Sequence, residues 1–265
     1  NKKLKALHYA LHLDHIYLEN IPAPENDLEE SYYSLIEKII QANSVLNNQK
    51  DTSYHELSDY MTLWVHQIKT PIAGLRLLIQ SGELSPRLLS MQVLRIEQYV
   101  DMMMYYVKMG HMNQDLKIGY YKIGDIVNEV VKKQSFFIHK KISLQLEELD
   151  EKILTDEKWT SFIIEQILSN ALKYTKEGSI HICMKNQTLY IKDTGIGIKK
   201  EDLPRVFEKG FTGTNGRIDK KASGLGLYLV KNICDTLGYP IHIESIINQG
   251  TTVSICFEKK PLIVE

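Results

Sequence analysis

A heptad seam limits this chain more than any other feature. Apolar residues recur at Leu57, Met61, Trp64, Ile68, Pro71, Leu75 and Leu78, in alternating steps of four and three. That rhythm belongs to helices that pack against helices, and it predicts a helix from about Tyr54 to Ile79. With the seam at positions a and d, His66 falls at f, the position furthest from a partner helix. Thr70 follows one turn later on the same flank. A helical histidine that faces water has no packing role and is available to react with a group arriving from solution.

A second seam follows at once. Ser81-Gly82-Glu83-Leu84-Ser85-Pro86 reads as a turn, with Pro86 placed to start the next helix. That helix carries Leu89, Val93, Ile96, Val100, Met103 and Val107, and Gly110 marks its end. Two helices with matched seams and a short loop predict an antiparallel hairpin. A lone hairpin leaves a wide apolar stripe wet. Pairing two copies into a four-helix bundle covers it, so a homodimer is expected. The run Met102-Met103-Met104 reads as core filler.

Upstream, residues 3–20 read as a helix, broken by Pro22-Ala23-Pro24. A second helix is expected from Leu28 to about Asn47. The polar stretch Asn47–Ser53 reads as a linker or a weakly held helical joint. The basic start Asn1-Lys2-Lys3-Leu4-Lys5 suits a solvated helix end or the cytoplasmic flank of a membrane segment. No run of about 18 apolar residues occurs, and no signal peptide is visible. With 265 residues, a core of ordinary size is within reach. A net charge of −1 gives no support to a nucleic-acid partner. Cys183, Cys234 and Cys256 match no metal spacing and read as reduced thiols packed in a core.

After residue 115 the pattern becomes α/β. Expected elements are a strand Tyr120–Ile123, a helix Gly124–His139, a strand Ile142–Leu146 and a helix Asp156–Tyr174. A hairpin of Ser179–Met184 and Thr188–Lys192 follows. Ala222–Leu237 reads as helical in part, and Ile241–Ser245 with Thr251–Phe257 as a closing hairpin. Recurrent hairpins favour a mixed sheet with helices on one face over a doubly wound fold.

Four signals with chemical content stand in order here. Gln166, Asn170 and Lys173 share a helical face. A mid-helix Asn is a poor helix former, an amide oxygen can ligate Mg²⁺, and Lys can meet a phosphate. Taken alone, the face could equally be solvated. Asp193-Thr194-Gly195-Ile196-Gly197 follows a strand. Its carboxylate can accept from an exocyclic amine such as that of adenine, and its glycines permit close approach. Asp-Thr-Gly is also a hallmark of aspartic proteases, but the surrounding helices count against that reading. The 26 residues between Gly197 and Gly224 hold Gly210, Gly213, Gly216, Phe207, Phe211 and seven Lys or Arg. A basic, glycine-hinged loop suits closure over a polyphosphate. Ser223-Gly224-Leu225-Gly226-Leu227 then opens a helix whose free N–H groups can face an anion, and Gly250-Thr251-Thr252 enters the last strand. Neither a P-loop nor the usual Ser/Thr protein-kinase motifs are present.

Together these segments resemble the boxes of bacterial sensor histidine kinases. His66-Gln67-Ile68-Lys69-Thr70-Pro71 is similar to the H box and the Asn170 stretch to the N box. Asp193–Gly197 is similar to the G1 box, Phe207–Phe211 to the F box and Gly224–Leu227 to the G2 box. The resemblance covers about residues 55–258 and is nearest to the small Gram-positive kinases that sense cell-envelope antibiotics with an ABC transporter. It implies a helical connector over 1–53 after a membrane segment and a dimerising, histidine-bearing hairpin over 54–113. It further implies an ATP-binding α/β domain of the GHKL (Bergerat) type over 116–258 and a tail over 259–265, all on the cytoplasmic side of a membrane protein. It implies that His66 takes the γ-phosphoryl group of ATP and passes it to a response-regulator Asp, and that Thr70 orients a water for dephosphorylating that regulator. Asn170 would bind Mg²⁺, with Gln166 on the same helical face and Lys173 and Tyr174 beside the phosphates and ribose. Asp193 would hold the adenine amine, with Gly195 and Gly197 under the base and Thr251 nearby. Gly224, Leu225, Gly226 and Leu227 would form the phosphate end of the lid. The alternative is a GHKL-type ATPase or an ATP-gated dimer without histidine phosphorylation.

Two positions depart from the pattern. Gln67 stands where Glu or Asp is usual. An amide cannot take a proton at pH 7, yet it can accept the Nδ1–H bond and keep Nε2 as the nucleophile. Gln166 stands where the related ATPases place a water-activating Glu. Glu165 is one residue off, about 100° around the helix, so phosphoryl transfer is favoured over hydrolysis.

Overall fold

The computed structural model describes residues 23–110, 112, 116–138, 141–213 and 224–258. The helix expected over 3–20, the basic start Asn1–Lys5, Pro22, His139, Gly216, Ser223 and the tail 259–265 lie outside them. The chain divides into two compact units, Asn1–Thr62 and Leu63–Glu265.

The described part of the first unit is the leading stretch of helix α1 (Asp27–Gln80). Asn26 starts it by accepting from the Glu29 N–H at 2.9 Å, and acidic residues in the first turn suit the helix dipole. Of the two readings of Asn47–Ser53, linker or helical joint, the structure has the helical one, because α1 runs through the stretch without a break. The stretch has neither Gly nor Pro to stop a helix. Thr52 answers part of its own polarity by donating to the Asn48 carbonyl at 2.8 Å. Leu28, Tyr32, Leu35 and Ile39 repeat the four-three rhythm and are exposed.

The second unit begins with the rest of α1. Gly82 turns the chain at φ 72°, and the Glu83 N–H reaches back to the Leu78 carbonyl at 3.1 Å. Pro86 then opens α2 (Pro86–Met109). The Trp64 indole N–H donates to the Tyr99 carbonyl across the hairpin. There follow β1 (Ile118–Lys122), α3 (Ile123–Gln134), a 3₁₀ turn (Ser135–Phe137), β2 (Ile142–Glu147), β3 (Lys152–Asp156) and α4 (Glu157–Tyr174). The chain continues with β4 (Gly178–Lys185), β5 (Thr188–Asp193), α5 (Gly226–Leu237), β6 (Ile241–Ile246) and β7 (Gly250–Cys256).

Strands β2-β4-β5-β7-β6 form a mixed sheet in which only β2 and β4 are parallel, while β1 and β3 form a separate ribbon. The turn between β4 and β5 places Asn186 and Gln187 at φ 51° and 57°, the double left-handed geometry of a tight hairpin. Helix α4 packs between α3 and α5 and against β5, and its Ile163, Ile164 and Leu168 are fully buried. Strand β3 is the element the sequence reading lacked. It ends in Asp156, which was expected to start a helix and does cap one. Its Oδ1 accepts from the Trp159 N–H at 3.1 Å, while Oδ2 accepts from the Lys117 N–H at 2.7 Å. The Gly124–His139 helix ends early as a helix proper, at Gln134, and the helical part of Ala222–Leu237 includes Gly226–Leu237. Cys183 and Cys234 are buried, whereas Cys256 is partly exposed.

Candidate functional site

A cavity of 230 Å³ opens where α4, the end of β5, the start of α5 and the β6–β7 hairpin converge. Of the residues expected to hold a nucleotide, Gln166, Asn170, Lys173, Tyr174, Asp193, Gly197, Gly224, Gly226, Leu227 and Thr251 line it. Two do not. Gly195 is tied to Asp193 through its N–H, and Leu225 is 2% exposed with its side chain in the core before α5.

Asp193 ends β5 and is buried. Its Oδ1 accepts from the Gly195 N–H at 2.8 Å and the Thr251 N–H at 3.3 Å. Burial pushes this carboxyl above the ordinary range, and the two N–H donors pull it part of the way back. The loop after β5 is pinned to the β6–β7 hairpin. Ile198 donates to Ser245 Oγ at 2.8 Å, Asn248 donates to the Ile196 carbonyl at 2.9 Å, and Ser245 and Thr251 share a hydroxyl contact at 2.9 Å. Gly197 is required here. It sits at φ 70°, and a Cβ would collide with the Ile246 carbonyl.

At the other end of the cavity, α5 begins with no side-chain cap on its first turn. The positive end of its dipole therefore suits an anion. Gly226 keeps the helix close to α4, since a Cβ there would lie 2.9 Å from Gln166 Oε1 and 3.7 Å from Met102 Cε. The donor set fits a nucleoside polyphosphate: a buried carboxylate at one end, and an uncapped helix with Lys173 at the other. It also suits Mg²⁺ held through Asn170, with other ligands from phosphate and water. No cluster of three or more His, Cys, Asp or Glu occurs among the described residues.

The hairpin forms part of this wall. Gln98, Tyr99 and Met102 of α2 line the cavity, and none was named as a site residue from sequence. By sequence Met102 reads as core filler. It is buried, and its place off the 89–107 seam was the available signal. Further along α2, the Tyr105 ring packs on Phe162 and Trp159 at centroid distances of 4.1 and 4.9 Å, and its hydroxyl donates to the Lys158 carbonyl at 3.1 Å. Burial, with the Asp101 and Glu165 carboxylates nearby, pushes the Tyr105 phenol up. Lys133 bridges the same contact, 3.2 Å from Asp101 and 3.0 Å from Glu165. Burial works against its ammonium, yet the two carboxylates hold its pKa above the ordinary value. Glu165 is thus buried in an ion pair, and its other oxygen accepts from Gln134 Nε2 at 3.3 Å. It is not part of the cavity wall, and Gln166, which is, cannot act as a base.

His66 and Thr70 are exposed on α1. Gln67 is half-buried, and its Oε1 accepts from the Tyr99 hydroxyl at 3.1 Å. The oxygen expected to orient His66 is thus already engaged toward α2, with one lone pair in use. Pro71 lacks an N–H, so the Gln67 carbonyl receives no donor from the next turn.

Residues 155–261 match the family of histidine kinase-, DNA gyrase B- and HSP90-like ATPases. The chain is 34% identical over 233 residues to a sensor histidine kinase, GraS, of Staphylococcus epidermidis, covering 85% of this chain and 67% of the relative. It is 35% identical over 229 residues to the sensor protein kinase GraS of Staphylococcus aureus, covering 83% of this chain and 66% of the relative. Among solved structures, the Acinetobacter baumannii histidine kinase AdeS has a TM-score of 0.50 at 22% identity, over 73% of this chain and 98% of that one, a likeness of fold.

Proposed function

This chain belongs to the sensor histidine kinases, and on that premise we propose how its residues divide the work of ATP-dependent histidine phosphorylation. Asp193 accepts the adenine amine through Oδ2, since its two backbone bonds converge on Oδ1. Lys173 and the first turn of α5 hold the phosphates. Asn170 would carry Mg²⁺, which when bound neutralises charge on the phosphate oxygens. The Nε2 of His66 attacks the γ-phosphorus, an N–P bond forms, and the bond to the β-phosphate oxygen breaks to release ADP. A regulator Asp then takes the phosphoryl group, and Thr70 orients the water that later removes it.

The observation that carries this reading is the shared wall. Gln98, Tyr99 and Met102 of the histidine-bearing hairpin line the same cavity as Asn170, Asp193 and Gly226. The engagement of Glu165 supports transfer over hydrolysis: its carboxylate is occupied by Lys133 and Gln134. An ATPase without a phosphohistidine is accordingly not favoured.

The exposed apolar stripes on both helices support a homodimer, with a second copy covering Val93, Val100 and Val107 of α2. A membrane anchor preceding residue 1, and an ABC transporter as a membrane partner, follow from the subgroup resemblance. No helix among the described residues is long and apolar enough to cross a membrane.

The test is γ-labelled ATP with the wild type and His66→Gln. Acid-labile, base-stable label is expected on the wild type and absent from the variant. Label retained in the variant overturns His66 as acceptor, and steady phosphate release from both proteins returns the ATPase. Gln67→Glu should raise the autophosphorylation rate several-fold, because a carboxylate keeps the Tyr99 bond and adds a stronger acceptor for His66 Nδ1–H. An unchanged rate means that Gln67 plays no part in activating His66.

A further inference from the structure

A second cavity, of 310 Å³, lies beside the nucleotide cavity between the hairpin and the α3–α4 side of the ATPase fold. The two share Gln98, Tyr99, Ser169 and Lys173 as walls. The charged side chains that line the second cavity are of one sign. Arg95 and Lys173 are there, and no carboxylate is. The acidic groups of the neighbouring contact, Asp101 and Glu165, are both tied to Lys133.

Arg95 has its guanidinium carbon 5.9 Å from the Phe137 ring centroid, and no carboxylate pairs with it among the described residues. A guanidinium stacked in this way keeps its planar fork of donors for a tetrahedral oxyanion. From the ATPase side, Gln134 lines the same cavity and is 1% exposed. Its Nε2 is spent on Glu165, while its Oε1 is buried without a hydrogen-bond partner. A buried acceptor left unmatched calls for a donor. The cavity therefore offers cations for an anion, and one of its lining residues carries a buried oxygen that needs an O–H.

We propose that this cavity is a binding site for orthophosphate. At neutral pH that anion still carries a P–OH for Gln134 Oε1, while its other oxygens accept from Arg95. Sulfate has the same shape but no proton to give, so the site should distinguish the two. The proposal needs no phosphate on His66. Its meaning for the reaction rests on the reading of Thr70 above: Thr70 lines this cavity, so phosphate cut from a regulator would be released into it.

Calorimetric titration of phosphate and of sulfate into the ADP-saturated protein tests the site, because ADP fills the nucleotide cavity and leaves this one open. Phosphate is expected to bind several-fold more tightly than sulfate. Arg95→Gln should weaken both anions roughly tenfold or more while leaving ADP affinity intact, which also reports that the variant is folded. Gln134→Met should erase the preference and leave the two anions equal. Equal binding of the two anions by the wild type overturns the orthophosphate assignment. Binding untouched by Arg95→Gln, or abolished by ADP, overturns the site.

Discussion

The hairpin and the ATPase fold solve the problem of burial in opposite ways. The α/β part closes on itself: Ile163 and Ile164 of α4, Ile180 and Ile182 of β4 and Leu189 of β5 are all fully buried within one chain. In the hairpin, Val93, Val100 and Val107 remain exposed at intervals of seven, as do Val65, Ile72 and Ile79 on α1. One region is complete as a single copy, and the other is left open in a pattern that a second helical pair would close. A sensor kinase gains from that division. The nucleotide-binding body needs no second copy for its core, while the histidine sits on a helical pair whose apolar residues are still exposed.

The contrast can be broken at several points. The largest effect is expected at Ile163→Ala, which should cost the ATPase fold about 2–5 kcal/mol in a denaturant melt because the side chain is fully buried. Asp193→Asn should weaken ATP binding by about 1.5–3 kcal/mol, the range for a hydrogen bond to a charged group, measured by calorimetry. It should also raise the stability of the nucleotide-free protein at neutral pH. The folded-state pKa of Asp193 is raised, so its ionised form costs stability. That cost is absent below the unfolded pKa and grows as pH rises through the folded one. The gain from Asn should therefore fade in acid. Lys133→Met should cost about 2 kcal/mol, less than a fully buried pair, since the Lys133 side chain is 36% exposed while that of Glu165 is 8% exposed. Val100→Ala should be the mildest, within about 0.5 kcal/mol for the dilute single chain. Its effect should appear instead as weaker self-association in sedimentation. If Val100→Ala lowers the dilute melt as much as Ile163→Ala does, the hairpin is not open on that face.

Much of this was legible in residue patterns. The two seams, Pro86 and the Gly82 turn predict the hairpin because period and punctuation are local properties. The strand pair around Asn186 and Gln187 was legible for the same reason. Strand β3 was not, since five residues that pair with distant β1 carry no sufficient local period, and Asp156 signals the helix it caps. The polar stretch at Asn47–Ser53 left linker and helical joint undecided, because polarity marks exposure and a helix can be exposed all round. At the site, α4 and the glycine segments announced themselves by residue type and order. Met102 and Tyr99 could not, because their role depends on how α2 lies against the ATPase fold. The bond from Tyr99 to Gln67 joins residues on two helices and is likewise invisible to spacing.

The glycines of the nucleotide cavity have one more consequence. A Cβ on Gly197 would collide with the Ile246 carbonyl, and one on Gly224 with the Phe211 main chain. Those obstacles are main chain, which no change of side chain can move aside. An inhibitor seated against these two glycines and Asp193 would leave a bacterium little room for escape by point mutation. One that leans on Met102 or Tyr99 would meet side chains free to vary, and resistance should arise there first.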